Sequence, residues 1–325
     1  MKMGKLSETM LKRSVFKQIK NKRKEVICGA KIGIDSAIID VSDKKNIAVT
    51  SAPIYGSQDL TVYMGVVHAI NNLKASGATP FAVEDVILLP EDFNEQELRK
   101  IVAQIELVAK ENNVQICGGH TQIVSSITEP IITITALGEV NAVLNYKETT
   151  PNMDIVMTKY AGMEGAYLLA TKHKDELIAR YNEYLYDMVM QYKEELLIKD
   201  EALVAIDNHV TAIHDIGEGG VFGALWDISE LCNTGISIDF KKIPIKQETI
   251  EVCELLDINP YALKSTGSLI IVCERGYELV ERLNKNNVHA TVIGHTTNNN
   301  DKILINDDEI RYLEPPKRDE YYKTI

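Results

Sequence analysis

The chain has 325 residues, 45% of them hydrophobic and 25% charged, with a formal net charge of −12. This is the composition of a water-soluble globular chain long enough for two domains. No apolar run approaches a membrane span, and the acidic balance argues against nucleic acid as a partner. Five cysteines (Cys28, Cys117, Cys232, Cys253 and Cys273) show no C-x-x-C spacing and have mostly apolar neighbours. They predict reduced, buried thiols and a cytoplasmic location.

Residues 1–24 carry many lysines and arginines around a loose apolar stripe (Leu6, Met10, Leu11, Val15, Phe16, Ile19). They predict an amphipathic helix or arm, with its charges either solvated or directed at phosphate. Strand-like runs at 36–41 and 47–50 precede a helix over 59–76, stopped by Gly77 and Pro80. Residues 81–89 read as a strand. Asn94, three residues before Glu97, suggests a variant capping box at the head of an amphipathic helix. Residues 114–117 and 131–137 are β-rich runs separated by a loop, Gly118-Gly119-His120-Thr121. Turn chemistry at 149–151 marks a boundary. The second half predicts a strand at 155–158, one long charged helix over 175–197, and the stretch His214-Asp-Ile-Gly-Glu-Gly-Gly-Val opening an apolar helix. Strands at 236–240, 269–273 and 290–293 then alternate with helices at 247–256 and 276–286. The expected organisation is an N-terminal arm (1–30), an α/β domain (31–148) and a second α/β domain (149–325).

Glycines at a helix start expose unpaired N–H groups and the positive end of the helix dipole, which suits a phosphate. Glycines at Gly219 and Gly220 equally serve close packing. His120 and His214 can hydrogen-bond a phosphate or transfer protons near neutral pH, or make structural bonds. Asp215 reads as a metal partner or a helix cap. On the helix over 59–76, Gly65, His68, Asn72 and Ser76 form a small, polar stripe, either a ligand wall or a polar contact face.

The order and spacing of several short motifs resemble the aminoimidazole-ribonucleotide (AIR) synthase superfamily, nearest to its HypE-like hydrogenase expression/formation branch. The motifs are G-K-L-S (4–7), G-I-D-S-A-I-I-D (33–40), S-G-A-T-P (76–80), L-L-P-E (88–91), G-G-H-T (118–121), H-D-I-G-E-G-G-V (214–221) and S-T-G-S-L (265–269). The resemblance implies a two-domain PurM-like α/β fold, with an N-terminal mixed-sheet domain that dimerises and a C-terminal α/β domain. It further implies ATP and Mg²⁺ as cofactors, ligase- or kinase-type chemistry, a homodimer and an unidentified small-molecule or protein acceptor. Carried onto this sequence, Asp35, Asn72 and Gln122 would face the metal. Gly118, Gly119, His120, Thr121, His214, Gly219 and Gly220 would line the nucleotide. His120 and Asp215 would be the catalytic candidates.

The sequence departs from the family pattern where negative charge is needed. The usual T-T-D-P reads Thr50-Ser51-Ala52-Pro53, the N-D of the long helix reads Asn71-Asn72, and G-G-H-T-E ends in Gln122. Glu218 stands where HypE proteins tend to carry Arg. HypE proteins also end in a reactive cysteine, whereas the last cysteine here is Cys273. These departures imply an ATP-binding protein with weakened turnover that is not an authentic HypE. The alternative is a non-catalytic scaffold or regulatory paralogue.

Overall fold

The computed structural model describes residues 8–10, 12, 26–28, 31–41, 46–56, 59–315 and 318–324. Those within 26–28 and 35–143 form one unit, and those within 8–12, 31–34 and 144–324 form the other. Of the expected N-terminal arm (1–30), one helical turn, α1 (Glu8–Met10), Lys12 and the strand Val26–Cys28 are described. The other arm residues, including the 4–7 motif, lie outside the described residues. Among the described residues, no helix is long and apolar enough to cross a membrane.

The first unit is a six-stranded sheet under two helices. In chain order it runs β1 (Val26–Cys28), β2 (Ala37–Asp40), β3 (Asn46–Tyr55), α2 (Asp59–Ala75), β4 (Ala78–Leu89), α3 (Glu95–Glu111), β5 (Gln115–Ile123) and β6 (Ile131–Val140). The spatial order is β1-β2-β3-β6-β4-β5, antiparallel except for β4 beside β5. That parallel pair needs a crossover, and α3 supplies it. Gly77, at φ +77, ends α2. Pro80, expected outside the strand, lies within β4 at a register shift against β6, where a missing N–H is tolerated. Asn94 caps α3 by accepting from the Glu97 N–H at 3.0 Å, while its amide donates to the Glu97 carboxylate at 2.7 Å. Here Glu97 answers the cap's side chain, not its backbone.

The helices cover one face of this sheet. Thr50, Ala52 and Ile54 of β3, Ile132, Ile134 and Ala136 of β6, and Val83 and Ile87 of β4 are buried beneath them. The opposite face is open: Tyr55, Phe81 and Val86 are exposed large apolar residues.

The expected loop Gly118–Thr121 is instead part of β5. Gly118 pairs with Glu84, Gly119 with Asp85, and His120 with Val86, after a register shift at Val83/Glu84. A Cβ on Gly119 would lie 2.3 Å from the Asp85 carbonyl oxygen. The two glycines therefore let β5 approach the irregular stretch of β4, a need that local pattern reads as a loop.

The second unit is a seven-stranded sheet with order β13-β12-β9-β11-β7-β10-β8. Its elements are β7 (Asp154–Thr158), α4 (Met163–Lys172), α5 (Lys174–Arg180), α6 (Glu183–Met190), α7 (Glu201–Ile206), β8 (Ala212–Asp215), α8 (Gly220–Cys232), β9 (Gly235–Asp239), α9 (Gln247–Leu256), β10 (Leu269–Cys273), α10 (Gly276–Lys285), β11 (Ala290–Thr297), β12 (Lys302–Asn306) and β13 (Glu309–Tyr312). The single helix expected over 175–197 is broken. Asn182 is fully extended (φ −180, ψ 172), and its side chain accepts from the Leu185 N–H at 2.8 Å, restarting the helix as α6. The apolar stripe continues across the break, which is why periodicity alone reads it as one helix. Val221, Leu225 and Ile228 of α8 pack with Ile270, Val272 and Ile293 in the core.

Three of the five cysteines are buried as expected, whereas Cys28 is half-buried and Cys117 is exposed on β5. Burial pushes the Cys253 and Cys273 thiols up to about 12.

Gly65 of α2 is a close-approach position, since a Cβ there would lie 2.0 Å from Cγ1 of Ile54. Gly65→Ala is expected to destabilise by about 1–3 kcal/mol despite the better helix propensity of Ala. Urea denaturation of Gly65→Ala, Ile54→Ala and the double variant checks this. The double variant should be more stable than the sum of the single effects, and strict additivity would refute the contact.

Candidate functional site

In the first unit, Asp35, Thr50 and Asn72 meet where the chain enters β2. The Thr50 hydroxyl donates to the Asp35 carbonyl at 3.1 Å, and the Asn72 amide donates to the Thr50 hydroxyl at 3.4 Å. The Asn72 carbonyl accepts from the Ser36 and Ser76 hydroxyls at 3.0 and 2.8 Å. Two motifs distant in sequence, 33–37 and 50–53, are thus tied to the polar stripe of α2. His68 of that stripe is half-buried.

Gln122 does not join them. Thr50 aligns across the sheet with Ala136, Val83 and Ile116, whereas Gln122 aligns with Leu88, Ile131 and Tyr55. At usual sheet spacings the two positions lie ~14 Å apart across the strands and ~17 Å apart along them. They also face opposite sides: Thr50 points under the helices, while His120 and Gln122 share the open face with Val86 and Leu88. Within one chain, Asp35, Asn72 and Gln122 therefore cannot bind one ion, and the set expected from sequence is corrected. Gln122 instead holds His120, whose Nε2 lies 3.1 Å from its Oε1. Thr121 faces the helix side beside Ile87. Sequence reading passed over Asp85, which is buried beside Gly119 with its carboxyl raised by desolvation.

In the second unit, β8 delivers His214 and Asp215 to the start of α8. Both are buried. His214 Nε2 lies 3.6 Å from the carboxylate of Asp227, about two turns into α8. Asp227 carried no motif signal, because α8 reads chiefly as a packing helix. Gly219 (φ +92) and Gly220 (φ +62) form the left-handed turn that begins the helix. A Cβ on Gly220 would lie 2.6 Å from the Leu263 carbonyl oxygen and 2.7 Å from that of Tyr261, so this glycine is required for backbone packing.

Gly219 has a different partner. Its N–H donates to the Asp319 carboxylate at 2.6 Å, and Asp319 is 1% exposed. The other Asp319 oxygen accepts from the Tyr321 N–H at 2.9 Å. The neighbouring Lys264 is largely buried, its side chain 13% exposed and its ammonium 3.6 Å from the Glu164 carboxylate. Burial alone would lower its ammonium, but Glu164, Asp319, Tyr322 and Glu218 together hold it above the ordinary lysine value. Lys264 immediately precedes the S-T-G-S-L motif, where Thr266 donates to Glu164 at 2.6 Å and Ser265 accepts from the Gly162 N–H at 2.6 Å. Beside the glycine turn lies a cavity of about 510 Å³ lined by Phe222, Phe240, Tyr261, Arg311, Arg318 and Glu320, among others. Phe222 stacks on Tyr261 with ring centroids 5.6 Å apart.

Burial pushes the Asp319 carboxyl up to about 6, against the opposing pull of the Gly219 N–H and Lys264. A raised acid holds its proton more tightly in the folded chain. The resulting stability is present below its unfolded value near 3.8 and is lost as pH rises through about 6. The full effect is about 3 kcal/mol. The melting temperature of the unsubstituted chain should therefore fall relative to that of Asp319→Asn between about pH 4 and pH 6.5. Parallel pH profiles would refute the assignment.

The AIR synthase related protein N-terminal domain matches residues 33–140, and its C-terminal domain matches residues 150–306. A Methanocaldococcus jannaschii protein carrying the name hydrogenase expression/formation protein is 24% identical over 318 residues, covering 93% of this chain and 91% of its own. Carbamoyl dehydratase HypE of Cupriavidus necator is 26% identical over 211 residues, 63% of this chain and 57% of that protein. Among solved structures, a HypE–HypF complex matches with a TM-score of 0.71 at 20% identity, over 94% of this chain and 99% of the matched one. AaThiL complexed with AMPPCP and TMP matches with a TM-score of 0.75 at 18% identity, over 97% of both chains. HypE in complex with ATP matches with a TM-score of 0.68 at 16% identity, over 98% and 97%. These likenesses show a common PurM-like two-domain fold. With both domain matches in order along one chain, the protein belongs to the AIR synthase-related family.

Proposed function

We propose that this protein binds ATP with Mg²⁺ and uses it in ligase- or kinase-type activation of an acceptor, as a cytoplasmic homodimer. The observation that carries the reading is the hydrogen-bonded group of Asp35, Thr50 and Asn72 in a family whose solved relatives include ATP and AMPPCP complexes. Among the described residues, no three His, Cys, Asp or Glu side chains converge as a metal cage. One carboxylate with neutral oxygens from Thr50 and Asn72 suits a Mg²⁺ that arrives on a triphosphate, because Mg²⁺ is commonly held by one or two carboxylates plus phosphate oxygens. Asp35 would supply the charge, and Asn72 and Thr50 would orient the ion's oxygen shell. Bound Mg²⁺ would neutralise the triphosphate and favour phosphoryl transfer. The turn at Gly219 and Gly220, into which β8 leads with His214 and Asp215, would by itself also suit a phosphate.

Calorimetric titration of ATP, with and without Mg²⁺, tests this. Mg²⁺-dependent binding is expected, weakened about 10- to 100-fold by Asp35→Ala. Absence of binding at every Mg²⁺ concentration would overturn the reading.

The loss of acids at Ala52, Asn72 and Gln122 favours a second reading, a scaffold or regulatory paralogue that binds without turnover. Ala52 is buried on the face of β3 that also carries Thr50, ~7 Å further along the strand. An acid there would return charge to the same group. ATP hydrolysis that is absent in the unsubstituted chain and restored by Ala52→Asp with Asn72→Asp would support this second reading. Robust hydrolysis by the unsubstituted chain would eliminate it.

The open sheet face supports the homodimer in this reading. Tyr55, Phe81 and Val86 are exposed there, and apolar sheet faces of this kind are normally covered. Val86→Lys should shift the protein from dimer to monomer in sedimentation velocity. An unchanged dimer would place the interface elsewhere.

A further inference from the structure

The start of α8 has the features of an anion site, and an anion already occupies it: the chain's own Asp319. Its carboxylate takes the Gly219 N–H at 2.6 Å, is 1% exposed, and lies in the field of the largely buried Lys264 ammonium, which itself sits 3.6 Å from Glu164. The surrounding segment is anchored across the same end of the unit. Glu320 accepts from the Asn259 N–H at 3.0 Å, Tyr322 donates to Glu218 at 3.3 Å, and the Thr324 carbonyl accepts from Lys172 at 2.7 Å. Lys264 also lies over the Tyr321 and Tyr322 rings, 5.2 and 6.0 Å from their centroids. Arg318 and Glu320 form part of the wall of the 510 Å³ cavity beside the turn, so moving this segment would widen that cavity toward Gly219.

We propose that residues 318–324 are an intrasteric plug: the Asp319 carboxylate occupies the position of a phosphoryl group on Gly219 and Lys264, and a phosphoryl ligand enters by displacing it. The inference rests on the reading of the glycine turn as a phosphate site. It adds Lys264 as the cation of that site and the C-terminal segment as its internal competitor. The chemistry is exchange of one oxyanion for another at the same N–H, in the field of the same ammonium. A carboxylate is a weaker match than a phosphate, since it brings one charge and two acceptor oxygens. The plug can therefore hold the site dry while yielding to a polyphosphate. Its other anchors, the Glu320, Tyr322 and Thr324 contacts, set how often it opens. The apparent affinity for a competing ligand is reduced by the closed fraction.

Two probes, Mg-ATP and inorganic pyrophosphate, would be titrated calorimetrically into the full chain, Asp319→Ala, Asp319→Asn and a chain ending at residue 317. Circular dichroism melting would confirm that each is folded. In parallel, limited proteolysis of the full chain would follow cleavage near its C-terminus with and without each probe. The expected result is about tenfold tighter binding of pyrophosphate to Asp319→Ala and the shortened chain, with Asp319→Asn between them and the full chain. Pyrophosphate should also expose the C-terminal segment to protease. Equal affinities in all four proteins, with the segment still protected, would overturn the plug while leaving ATP binding intact. If ATP binds none of them but pyrophosphate binds the shortened chain more tightly, the plug stands and the nucleotide reading falls. If neither probe binds any of the four, both fall.

Discussion

The turn that starts α8 has to satisfy two close approaches at once. Gly220 brings the helix against the backbone of Tyr261 and Leu263, closer than any Cβ allows, and Gly219 turns its N–H toward a buried oxyanion. Both residues have positive φ, so the backbone conformation and the packing demand the same residue type. Much of the second unit is arranged around this turn. His214 and Asp215 lead into it from β8, Asp227 lies beside His214, and the S-T-G-S-L stretch places Lys264 on its far side.

A buried charge cluster of this kind holds only if its members compensate each other. Lys264 is flanked by Glu164, Asp319 and Glu218, while Glu164 also accepts from Thr266. Removing one member leaves the others desolvated without a partner, which costs more than the pair contributes when intact. The raised Asp319 carboxyl expresses the same imbalance: the N–H and the ammonium offset only part of its burial.

The first unit shows how one sheet serves two purposes. Its covered face buries β3, β6 and β4 under α2 and α3 and ties Asp35, Thr50 and Asn72 together. Its open face carries exposed apolar side chains together with His120 and Gln122. Because strand residues alternate between faces, neighbouring motif positions can belong to different surfaces. Residues grouped by sequence motif are therefore separated by the pleat.

Much was legible in the sequence, because it is written locally. Helical periodicity marked α2, α3, α9 and α10, β-rich runs marked β7 and β10, and the glycine pair marked the start of α8. The ordered motifs identified the family and with it the fold. What local pattern could not determine depended on partners far along the chain. Gly118 and Gly119 read as a loop, yet pairing with an irregular stretch of β4 makes them strand. The stripe over 175–197 read as one helix because its apolar spacing survives the break at Asn182. The separation of Gln122 from Asp35 follows from strand order and register, which no spacing rule encodes. Asp319 and Lys264 are 55 residues apart in a sequence that offers no motif joining them. Only the folded chain brings them together near the same helix start and withdraws them from solvent, which turns two ordinary surface residue types into an anion site and its occupant.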